Sequence, residues 1–85
     1  MYSFWGYLMK EFNIAIRSFR EVQDFVSLAT VQPFKVLVGN DRQLVNAKSF
    51  IGMVSLDYSR PLKVLCECDS DAIRNFMLQA GNFLM

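Results

Sequence analysis

The chain contains no histidine, and this absence excludes more chemistry than any other feature of its composition. Without an imidazole there is no group that titrates near neutral pH to serve a serine or cysteine nucleophile, and the commonest zinc ligand is missing. Cysteine is scarce as well, with only Cys66 and Cys68 present. On a strand a C-x-C pair places both side chains on one face, roughly 7 Å apart along the chain, which suits a disulfide poorly. With no second pair there is no zinc pattern either, so the two read as small buried apolar residues in a reducing cytosol. Four glycines and two prolines provide neither a glycine-rich phosphate loop nor a low-complexity linker.

Charge of one sign is also lacking. Nine Lys and Arg against eight Asp and Glu leave a net charge of +1, and the basic residues are scattered, so the electrostatic footprint of a nucleic-acid binder is absent. The first nine residues, MYSFWGYLM, are apolar and aromatic, but they are too short to span a bilayer and lack a signal peptide's basic start and cleavage region. The expectation is a soluble cytoplasmic protein with no membrane insertion and no nucleic-acid partner. No catalytic residue, metal or cofactor is implied, so it is not expected to be an enzyme. Asp69 and Asp71 lie where a helix should begin and read as capping acids.

What is present is core material: 53% of the 85 residues are apolar and eight are Phe, enough for one small domain. The domain is expected over residues 10–85, behind an apolar extension at 1–9. Phe4, Trp5 and Tyr7 of that extension could cover a helix of the domain or mediate a dimer. Phe12, Ile14 and Ile16 alternate with Asn13, Ala15 and Arg17, the period of a half-buried strand. Ser18 and Glu21 then form an S-x-x-E capping-box pattern. Val22, Phe25, Val26 and Ala29 supply the apolar stripe of a helix beginning near Phe19. Strands are expected at 34–38 and 43–45, joined by Gly39, Asn40 and Asp41 as a hairpin. Leu62, Val64, Cys66 and Cys68 alternate with Lys63, Leu65 and Glu67 as a fourth strand. Asp69 or Ser70 can cap a last helix with a stripe of Ile73, Phe76, Met77, Ala80 and Phe83 or Leu84. The order is β-α-β-β-α-β-α. Because each strand is apolar on one side only, the economical packing is α+β, a four-stranded antiparallel sheet with three helices on one face.

The chain is organised around residues 46–57, NAKSFIGMVSLD. Ser49 is placed to cap a short helix, since its hydroxyl can accept from N–H groups the first turn leaves unpaired. At about 100° per residue, Met53 and Leu56 share one arc, and Phe50, Ile51 and Val54 an adjoining one. The combined apolar arc of about 220° is wider than a helix lying on a core requires, so part of it should face something else. That neighbour is either a loop or the N-terminal extension of the same chain, or a protein partner.

This element order, with the helix-opening N-x-K-S-F-I-G-M-V-S-L segment, resembles HPr, the phosphocarrier family of the bacterial sugar phosphotransferase system. The likeness covers roughly residues 10–84 and follows the family's serine signature in Lys48-Ser49-Phe50-Ile51, Met53 and Leu56-Asp57. Arg42 departs from the small or acidic residue usual a few positions upstream. The resemblance implies that Ser49 is the regulatory serine phosphorylated by HPr kinase. It also implies a partner such as a transcriptional regulator of carbon use, bound beside Phe50, Ile51 and Val54.

The family relays phosphate through a histidine at the start of its first helix. Counting back from Ser49 without gaps sets Ser18 against that histidine and Arg20 against the arginine beside it, with Glu21 in place of a proline. Anchored instead on Phe12, the loop is shorter and the histidine is deleted. A serine phosphate is a stable ester, so Ser18 does not replace imidazole as a relay. Glu21 also brings negative charge to the place a phosphate would occupy. The expectation is an HPr-like protein without phosphocarrier activity, acting as a regulatory adaptor. Two alternatives stand beside it: an unphosphorylated structural or homodimeric interaction domain, and an atypical phosphocarrier.

Overall fold

A computed structural model of the protein describes residues 9–85. The expected extension therefore lies, apart from Met9, outside the described residues. Seven elements follow in the order read from the sequence: β1 (Met9–Ile14), α1 (Phe19–Thr30), β2 (Val36–Gly39), β3 (Leu44–Asn46), α2 (Phe50–Val54), β4 (Leu62–Glu67) and α3 (Ser70–Gln79). The four strands form one antiparallel sheet in the order β1-β4-β2-β3. This is an α+β fold with an open-faced sheet and three helices.

Strand alternation decides which face is covered. Phe12, Ile14, Val36, Val38, Leu62, Val64 and Cys66 are buried, whereas Glu11, Asn13, Lys63 and Glu67 point to the opposite, exposed face. The helices close over the apolar face. Val22, Phe25 and Ala29 of α1 are fully buried, as are Phe76 of α3 and Ala80 just beyond it. Each such Val or Phe contributes about 1.5–3 kcal/mol of gross burial. Phe76 sits at the centre of the aromatic packing, with ring centroids 5.5 Å from Phe12, 6.0 Å from Phe25 and 5.9 Å from Phe34.

Several boundaries differ from the sequence reading, each for a local reason. The alternation of β1 runs on to Ile16, which is buried, but pairing with β4 ends at Ile14, where Leu84 also bridges to the strand. The Ala15 N–H donates to the Phe83 carbonyl at 2.9 Å, and the Met85 N–H donates to the Asn13 carbonyl at 3.3 Å. Phe34 precedes β2 rather than opening it, and its ring packs against Phe76. The hairpin turn shifts β3 one residue later than expected. Asn40 Oδ1 accepts from the N–H groups of Arg42 (2.8 Å) and Gln43 (3.1 Å), and a Cβ on Gly39 would lie 1.9 Å from the Gln43 carbonyl oxygen, so only glycine fits. Of the two candidate caps for α3 it is Asp69 that serves, accepting from the Ala72 N–H at 2.8 Å.

Candidate functional site

The first turns of α1 and α2 lie side by side. Phe19 and Phe50, the opening residues of the two helices, meet edge to face with ring centroids 5.5 Å apart. Each is preceded by a serine that caps its helix, so the aromatic pair links Ser18 and Ser49.

Ser49 has extended backbone angles (φ −103°, ψ 112°), and its Oγ accepts from the Gly52 N–H at 3.2 Å. Asn46 sets the approach: its carbonyl accepts from the Ser49 N–H at 2.9 Å and its Oδ1 from the Lys48 N–H at 2.9 Å. Three residues after the cap stands Gly52, where a Cβ would lie 3.3 Å from the Val45 Cβ and 3.5 Å from Ser49 Oγ. The missing side chain thus lets α2 pack closely against β3 and places no side chain against the hydroxyl. No acidic residue occupies the first turn of α2.

The broad apolar arc of α2 divides as its geometry requires. Met53 and Leu56 are buried, Phe50 and Val54 are half-buried, and Ile51 is 75% exposed. Phe19 from α1 adds a second large apolar side chain, 53% exposed. Sequence reasoning did not single out Phe19. Its spacing gave no signal, since Phe19 stands three residues before Val22 and seven before Val26 and so falls on the edge of the apolar stripe at about 100° per residue.

Ser18 caps α1 in extended conformation, and its Oγ accepts from the Glu21 N–H at 3.2 Å. The capping box differs in one respect from the expected pattern. Glu21 Oε1 accepts from the Arg17 N–H at 2.9 Å, one residue before the cap, and lies 3.6 Å from the Arg17 guanidinium. The helix start therefore carries its own carboxylate. Arg20 turns away to Asp24 at 3.7 Å, with both side chains well exposed. Ser18 and Arg20 are thus engaged with different partners, and Arg17 is the cation beside the capping box.

Neither cysteine has a disulfide partner. Burial, reinforced by the neighbouring Cys68, pushes the Cys66 thiol up to about 12, and burial also raises Cys68, which is half-buried rather than inside the core. Both thiols are thereby kept from forming the reactive thiolate. Asp57, just past α2, is held below the usual carboxylate range by hydrogen bonds from the Ser59 hydroxyl and N–H. Two clefts, of about 520 and 780 Å³, share Asp57, Arg60 and Pro61, and Ser49 lines neither. Among the described residues, no helix is long and apolar enough to cross a membrane. No protein-family model, curated protein or solved structure matches the chain.

Proposed function

We propose that the protein is an HPr-like regulatory adaptor of the bacterial cytoplasm that has no phosphocarrier or enzymatic activity. It is switched by phosphorylation of Ser49 and read by a protein partner at Phe50, Ile51 and Val54, with Phe19 at the edge. The observation that carries this reading is the setting of Ser49: a half-buried capping hydroxyl with no side chain on Gly52 beside it, no carboxylate in its own turn, and Ile51 left 75% exposed two residues away. The β-α-β-β-α-β-α order supports the resemblance to HPr. In the transfer, Ser49 Oγ bonds to the γ-phosphorus of ATP, its proton passes to a base of the kinase, and ADP leaves. The product keeps a hydrogen-bond acceptor at the cap and adds close to two negative charges, changing the surface without requiring the helix to unfold.

The surroundings of Ser18 favour a structural cap over a relay. Glu21 fills the position a phosphoryl group would need, and a seryl ester does not pass its phosphate on as a phosphoramidate does. The exposure of Phe19 and Ile51 gives weight to one other reading, an unphosphorylated domain that pairs through this surface with a second copy. Incubation with a bacterial HPr kinase and ATP, read by intact mass, separates the two. The adaptor reading expects one added phosphate that Ser49→Ala abolishes; an unmodified folded protein that sediments as a dimer would replace it with the second.

A further inference from the structure

Gln32 is the one buried polar side chain among the described residues, and the residue joins the ends of α1 and α3 to the segment before α2. It lies just past the end of α1. Its Nε2 donates to the Leu28 carbonyl of α1 at 3.0 Å and to Oε1 of Gln79, the last residue of α3, also at 3.0 Å. Its own carbonyl accepts from Lys48 Nζ at 2.7 Å. The last turn of α1 contains no basic residue, so the cation that complements its carbonyl end is supplied by Lys48, from the segment that opens α2. Among the described residues Lys48 makes no ion pair that would hold it elsewhere.

We propose that Lys48 couples position 49 to the ends of α1 and α3: a phosphoryl group on Ser49 draws the ammonium off the Gln32 carbonyl and loosens the Gln32–Gln79 tie. The inference rests on Ser49 as the phosphorylation site. Adjacent Cα atoms are about 3.8 Å apart, and a lysine stem has four flexible carbons, so the ammonium can reach a phosphate on its neighbour. A backbone carbonyl is a neutral acceptor. A phosphoserine brings close to two negative charges and three acceptor oxygens, so the ammonium gains a charge–charge attraction there that the neutral carbonyl does not offer. The competition therefore favours the phosphate. Release leaves the Gln32 carbonyl without its charged partner, at the residue whose N–H and side chain hold the end of α1.

The test installs phosphoserine at position 49 during translation, so that no kinase is involved, and follows hydrogen exchange of the Gln32 N–H in the full chain. With Lys48 present, phosphoserine should speed exchange roughly tenfold. In Lys48→Met, exchange should already be fast and insensitive to the phosphate, whereas Lys48→Arg should restore both the slow basal rate and the response. Unchanged exchange on phosphorylation, or equal acceleration in Lys48→Met, would overturn the coupling. A failed kinase assay would instead remove the natural phosphorylation of Ser49 and leave this result standing.

Discussion

The two serine caps differ in what stands three residues downstream. At α1 that residue is Glu21, whose carboxylate folds back on the Arg17 N–H and fills the helix start with negative charge. At α2 it is Gly52, which contributes an N–H to Ser49 Oγ and no side chain. The hydroxyls make the same bond at the same 3.2 Å, so capping alone does not distinguish them. The neighbourhood does. One cap is closed by a carboxylate of its own helix paired with Arg17, and the other has no carboxylate in its turn and an exposed isoleucine beside it.

Transplanting the α1 arrangement onto α2 should have the largest effect. In Gly52→Glu the new Cβ presses on Val45 and Ser49, and the carboxylate competes for the space beside the hydroxyl. The expected outcome is a loss of about 1–3 kcal/mol in urea unfolding with an unchanged slope, together with loss of kinase labelling. A variant labelled as well as the natural protein would show that the empty position does not matter.

Removing each cap is the next sharpest comparison. Ser18→Ala should cost about 1 kcal/mol, since it ends a capping arrangement on a helix of 12 residues. Ser49→Ala should cost about 0.5 kcal/mol, because the five-residue α2 is held chiefly by the buried Met53 and Leu56. Thermal or urea melts that reversed this order would assign Ser49 the greater structural role. The smallest effect is expected from Arg20→Gln, whose well-exposed pair with Asp24 should contribute less than about 0.5 kcal/mol. A larger loss on melting would indicate that Arg20 does more than its exposed contact suggests.

Periodicity made the fold legible where apolar spacing was long and uninterrupted. The stripe of Val22, Phe25 and Ala29 gave α1, and the alternation through Leu62, Val64 and Cys66 gave β4. It misplaced strand ends where a distant segment intervened. Ile16 has the right period and burial but lies past the end of β1, beside the segment that Phe83 and Leu84 bond, and Phe34 lies before β2 with its ring on Phe76. The candidate site was legible to the same extent. Ser49 and the exposed Ile51 follow from capping chemistry and helical angles. The Phe19–Phe50 contact and the Lys48–Gln32–Gln79 chain join residues far apart in sequence and carry no local signature.

The measurement that tests the central claim most directly is phosphorylation of the full chain by a bacterial HPr kinase with ATP, followed by intact-mass analysis and peptide mapping. The expected result is a single phosphate on Ser49, none on Ser18, and none at all in Ser49→Ala. A folded protein that remains unmodified, or that is labelled on Ser18, would contradict it and leave Ser49 a helix cap like the other.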